Sequence, residues 1–447
     1  MTELSVAHRA LLAQIVDRCP DEALSQLSLV VRTMSGARAR ALSELIATES
    51  RDRRRRRTAL EPLVPMFARR ADGVEAMTFP SQVLARLWKA ASAREPHLLP
   101  VLDRDGPQAT AVADRICQAA AAAVRDKPDL VWPGAGAERD AGLEELARCC
   151  DLAHLARRGL RTLPDWIGRP DGDQLAELRL LIRDSVDVAP DGARRLLEIL
   201  FAHLPEAANL LRVVVQASAA SGSEQFLAGS EMAVFVDRLI AAVEARVARI
   251  AAYRPGGEGS TQDELRAAVT WCAGVLNELD MTLHVQTDGA WGKKVRDARL
   301  RINRTLLAQL RNVERAVDKT LPTARVQLAG RMTRAVPATD APLEAQTVEA
   351  AREHLALLGA IRGAATVIGC EGERQKLATE LTARLAGHAD SLLVLVNAGE
   401  AADEGVALDM VAMTAQFLTL VGAADEARTV RRRLAVAGLD RTSHAAA

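Results

Sequence analysis

Aromatic residues are nearly missing from this sequence: one Tyr, six Phe and five Trp make up 3% of its 447 residues. Strands draw on β-branched and aromatic side chains, so this scarcity argues against a sheet-based architecture. Lysine is as sparse. Of 58 basic residues only six are Lys and the remaining 52 are Arg, a bias that, with abundant Ala, reads as the coding habit of a GC-rich bacterium. The six cysteines are scattered and form no CxxC pair, which excludes a disulfide framework and ribbon-type zinc sites and fits a reducing compartment.

Charge of one sign is also lacking. The 58 basic residues face 58 acidic ones and the pI is about 7.1, so the chain as a whole has no attraction for nucleic acid or an anionic membrane, and any such binding must be local. The most apolar segment, residues 410–424, is broken by Thr414, Gln416 and Thr419. It falls short of the roughly 20 apolar residues a membrane span requires. Residues 1–5 carry no basic start leading into an apolar stretch, so no secretory signal is expected and the chain reads as cytoplasmic. HExxH, GxSxG, GxGxxG and DDxxD motifs are absent. The sequence from Gly289 to Lys294 lacks the spacer and the Ser/Thr of a phosphate loop. No residue is defensible as catalytic, and no cofactor or metal is expected.

What the chain does have is helix-forming material: 84 Ala and 59 Leu, two of the residues with the strongest intrinsic helix preference. Ser230 is a good N-cap, followed by Met232, Phe235, Val236, Leu239, Ile240, Val243, Val247 and Ile250 at spacings of three and four, one buried helical face. Thr261 and Glu264 form a capping-box pattern opening the next helix. Pro- and Gly-rich breaks at residues 128–137, 253–259 and 335–342 separate four candidate modules, 1–127, 138–253, 260–334 and 343–440. No segment alternates as a hairpin would. The expectation is an all-α, multi-helix array of antiparallel helix pairs, an irregular α-solenoid or joined helical bundles, with no fixed repeat period.

Two basic surfaces stand out. Arg51, Arg53, Arg54, Arg55, Arg56 and Arg57 share residues 51–57 with Asp52 alone, and residues 48–58 contain no large apolar side chain. Five consecutive Arg at about 100° each point all round a helix, so the run is expected to project into solvent. There it either pairs with Glu44, Glu49, Asp52 or Glu61 or binds an anion or acidic partner. The second surface lies within residues 291–334, where twelve basic residues give a local net charge of +9. Lys293, Arg304, Arg311 and Arg315, flanked by Arg296, fall on one side of a helix, opposite Val295, Ile302, Leu306, Leu310, Val313 and Val317. Arg299 alone lies in the apolar arc.

Cys150, Asp151 and His154 share a helix face, but two or three ligands on one helix make no closed metal site, and Leu143, Leu146 and Ala153 continue an apolar stripe through Cys150. Core packing is the reading adopted. Two loop regions, around Phe79 and across residues 163–170 with Trp166, are read as plugs between helix ends or as partner anchors. The functional expectation is a non-catalytic scaffold or adaptor that binds another protein or itself. Nucleic-acid or anionic-lipid binding through the Arg-rich surfaces is the alternative, and an enzyme with an unrecognised helical active site a third reading.

Overall fold

A computed structural model describes residues 6–218, 227–253, 261–283, 285, 289–327 and 333–444. The fold is all-α and multi-helix, and the chain divides into two compact units, Met1–Phe235 and Val236–Ala447.

The first unit opens with α1 (Val6–Arg18), α2 (Asp21–Arg32) and α3 (Ala37–Ala59). Val16, Leu24, Val31 and Ile46 form a small core between them. There follow α4 (Ser81–Arg94), a 3-10 segment (Pro96–Asp103), α5 (Pro107–Asp126), the short α6 (Pro128–Val131), α7 (Ala137–Ile167), α8 (Gly172–Val188), α9 (Gly192–His203) and α10 (Leu210–Ala217). The 31-residue α7 packs against α5, α8 and α9, burying Leu143, Leu146, Cys150, Ala153 and Trp166 among others. It also runs through Pro164 to Ile167, so the joint between helices is only Gly168 to Asp171, shorter than the 163–170 loop expected. Tertiary packing overrides the proline's helix-breaking tendency there.

The division falls in the first turn of α11 (Ala233–Ala252). Ser230 accepts a hydrogen bond from the Met232 amide at the head of this helix, and all eight residues of the expected apolar face are buried. The second unit continues with α12 (Gln262–Thr282), α13 (Ala290–Lys319), a hairpin of β1 (Thr323–Gln327) and β2 (Thr333–Pro337), then α14 (Ala345–Ala360), α15 (Arg362–Ile368), α16 (Glu371–Ala398), α17 (Glu404–Val421) and α18 (Ala424–His444). The capping box forms as written: Thr261 accepts from the Glu264 amide and Glu264 from that of Thr261. Most of the break at residues 253–259, from 254 onward, lies outside the described residues.

The hairpin corrects the sequence reading, which found none. Its strands are antiparallel with Arg325 opposite Ala335. Residues 323–327 do alternate polar and apolar, Ala324 and Val326 being the apolar positions, but residues 333–337 do not, and Ala324, Arg325, Arg334 and Ala335 are all exposed. Among the described residues α17 is the one helix long and apolar enough to cross a membrane by length and composition. Here it packs against α14, α16 and α18 and buries Met410, Val411, Phe417 and Leu418.

Candidate partner and anion interfaces

The arginine run is part of a continuous helix, α3, rather than a projecting turn. Because its guanidinium groups leave the helix in all directions, they reach different neighbours. Arg53 is 5% exposed. Its Nη2 donates to the carbonyls of Val16 (3.0 Å) and Asp17 (3.1 Å), in the last turn of α1, while Nη1 meets Asp21 Oδ1 and Nε meets Glu49 Oε1, both at 2.6 Å. A helix leaves its last four carbonyls without intrahelical donors, and Arg53 satisfies two of them. The hydrogen bond from Arg53 holds the Asp21 carboxyl below its ordinary value. The expectation that the run projects into solvent is therefore wrong at Arg53: a planar fork with five donors can be buried where carboxylates and carbonyls surround it and offset its desolvation.

Arg55 turns the other way. Its Nε lies 2.9 Å from Asp103 and a second nitrogen also contacts that carboxylate, which the hydrogen bond depresses below its usual range. Asp52 points inward as well, accepting from the indole of the buried Trp88 at 2.8 Å. Of the four acidic partners expected for the run, Glu49 alone receives one of its arginines in a close pair. Asp21 and Asp103 come from outside, 32 and 48 residues away from their arginines. What stays outermost is Arg51, Arg54 and Arg57, all exposed, with Arg54 3.9 Å from Asp103 and Arg57 4.0 Å from Asp21. Arg56 is half-buried, and neither it nor Arg51 forms an ion pair with a described residue.

The use made of Arg53 recurs. Arg157, on α7 and 6% exposed, donates to the carbonyls of Thr58 and Ala59 at the end of α3 and pairs with Glu61 (2.9 Å) and Asp114 (3.1 Å). Arg212 donates to Ile167, the last residue of α7. Arg53, Arg157 and Arg212 thus each meet a helix C-terminus, where positive charge also suits the helix dipole.

On α13 the outcome is the reverse. Val295, Ile302, Leu306, Leu310, Val313 and Val317 are each no more than 5% exposed. On the opposite side Lys293, Arg296, Arg304, Arg311 and Arg315 are exposed, and none forms an ion pair with a described residue. Arg299, the exception in the pattern, is half-buried, pairing with Asp280 and donating to the Leu276 carbonyl. Glu314 and Asp318, the nearest carboxylates along the helix, are taken by Arg384. Two exposed carboxylates interrupt the stripe, Asp318, paired with Arg384, and Asp297, which forms no ion pair with a described residue, and Leu300, 48% exposed, sits within it. Trp291, taken in sequence as part of a turn, is buried in the first turn of the helix and donates to Asp237 at 2.8 Å. From Lys293 to Arg315 the stripe runs about 33 Å at the usual helical rise.

The thiols are set deep. Cys149 and Cys150 are at most 1% exposed, and burial pushes both thiols well above their ordinary range, while Cys117 rises to about 12 for the same reason. Asp151 pairs with Arg125, and His154 Nδ1 faces the Asp151 carbonyl at 2.9 Å. No group of three His, Cys, Asp or Glu among the described residues is placed to hold a metal ion. Phe79 and Trp166 are buried plugs: Phe79 packs on Phe67 with centroids 5.6 Å apart, and the Trp166 indole donates to the Gln174 carbonyl. The chain matches no protein-family model, no curated protein and no solved structure.

Proposed function

We propose that this chain is a non-catalytic helical adaptor acting in the cytoplasm, and that α13 docks on an acidic surface of a partner protein. The observation that carries this reading is the row Lys293, Arg296, Arg304, Arg311 and Arg315, exposed and without ion-pair partners among the described residues on a helix whose other face is buried. Side chains fixed on a packed helix present their charges at constant spacing, which favours register and fast encounter with a surface of opposite sign. Leu300, exposed between Arg296 and Arg304, supplies an apolar contact of the kind protein interfaces use at their centre. Six free cysteines, five of them buried, accord with a reducing compartment.

Nucleic-acid binding is the second reading, favoured by the hairpin that follows α13. Arg325 and Arg334 are exposed on its opposite faces, and a two-stranded ribbon fits a major groove. One experiment separates the two. The full chain and an R304E/R311E/R315E variant are used to capture partners from lysate at about 0.1 M and about 0.5 M salt, before and after nuclease treatment. The adaptor reading expects an acidic protein with the unaltered chain and its loss with the variant. Recovery of nucleic acid alone, before nuclease and only at low salt, would transfer the proposal to the second reading. Capture indifferent to the charge reversal would remove α13 from either.

A further inference from the structure

On the first unit, one side of α3 is left uncovered. Ala47, Ser50, Arg51, Arg54, Arg57 and Thr58, spaced by three and four residues, line an open cavity of about 490 Å³. A second cavity of about 470 Å³ shares Arg57 and Thr58 with it and is bounded further by Arg104, Gly106, Thr110 and Arg161. The end of α3, the turn before α5 and the middle of α7 thus meet around one trough.

We propose that this trough binds an oligophosphate anion, a short chain of phosphoryl groups carrying no base. Five exposed arginines, Arg51, Arg54, Arg57, Arg104 and Arg161, border it. None of them has a carboxylate closer than the 3.9 Å between Arg54 and Asp103 among the described residues. Guanidinium forks suit phosphoryl oxygens two at a time. Two carboxylates also line the second cavity, and their effects differ. Glu61 is already matched by Arg157 at 2.9 Å, whereas Asp105 has no ion pair with a described residue and opposes an anion. Helix α5 begins at this wall with Pro107 in its first turn and no side-chain cap, which adds the positive end of a helix dipole to the arginines.

The length of the trough selects a chain over a single phosphate. Arg51 to Arg57 spans about 9 Å along α3, and Arg104 and Arg161 extend the cationic border past its end. No aromatic side chain lines either cavity, so a nucleobase finds no stacking surface. The inference concerns the first unit alone and is independent of the role assigned to α13.

Calorimetric titration of the full chain with sodium tripolyphosphate, against orthophosphate and sulfate at equal ionic strength, tests it. The expected result is one site per chain, about tenfold or more tighter for tripolyphosphate than for orthophosphate. R57A and R161A, both at exposed positions, should each weaken it about tenfold with helical circular dichroism unchanged, and R57K should fall between, retaining charge but losing the fork. D105N should tighten binding and R183A, at an exposed position on α8, leave it unaltered. No saturable heat, equal binding of sulfate, or losses no larger in R57A and R161A than in R183A would overturn the proposal.

Discussion

Helices α3 and α13 are both rich in arginine, yet they use it in opposite ways. On α3 the arginines are consecutive and therefore radiate. Those facing α1 and the 3-10 segment find Asp21, Glu49, Asp103 and two orphan carbonyls, and Arg53 ends buried. On α13 the basic residues Lys293, Arg296, Arg304, Arg311 and Arg315 recur at intervals of three, eight, seven and four, opposite an apolar face that is buried, and their charges stay in solvent. Spacing, more than density, decides whether a basic segment becomes a structural part or a surface. A run of like charges reads as an interaction tail only while its neighbours in space are unknown.

The largest effect that separates the two helices should come from Arg53→Ala. Removing it takes the guanidinium from Glu49 and from the Asp17 carbonyl, while Val16 keeps the Cys19 amide, and should cost about 3 kcal/mol, the lower end for breaking a buried pair, since Asp21 remains partly in water. Chemical denaturation measures it, and an unchanged midpoint would put Arg53 back among the surface residues. Arg51→Ala and Arg311→Ala, one on each helix, should shift stability by no more than about 0.5 kcal/mol.

Acid titration sharpens the contrast at the level of the two units. His388, in the second unit, is 9% exposed, and burial pushes it down from 6.5 to about 4. Its folded-state value lies below the unfolded one, so the unfolded chain binds the proton first. Stability in the second unit should fall as pH drops from about 6.5 toward 4, and H388Q should flatten that limb. Asp21 in the first unit is held below 3.8 by the Arg53 hydrogen bond. Its contribution is complete above that value and lost as pH falls through the folded value, so D21N should lower stability by a constant amount above about pH 4 and flatten the limb below it. The same acid limb in H388Q as in the unaltered chain would contradict the burial of that imidazole. Smallest of all should be the metal content: Cys150→Ala is expected to cost packing energy of about 1 kcal/mol, and elemental analysis of the unaltered chain should find no stoichiometric zinc or iron.

Much of the fold was legible because helical signals are local. The α11 face, the Thr261 and Glu264 box and the α13 stripe all lie within a few turns of their own chain, and each appears as the spacing predicts. The hairpin was not legible because only one of its strands alternates, residues 323–327, while 333–337 do not, and the passage of α7 through the exposed Pro164 was not because it rests on the burial of Leu163 and Trp166 against other helices. Arg299 shows the boundary within one helix. Its place in the apolar arc was visible, but its reason, Asp280 and the Leu276 carbonyl on α12, was not.

By itself, then, the sequence determined the helical class, the burial of Cys150 in an apolar stripe, and which side of α13 carries charge, because composition and a period of about 3.6 residues act at short range. Tertiary structure alone decided which arginines are buried and which are free. That choice depends on carboxylates and helix ends brought alongside from distant parts of the chain, and a guanidinium group is stable in either place according to what meets it.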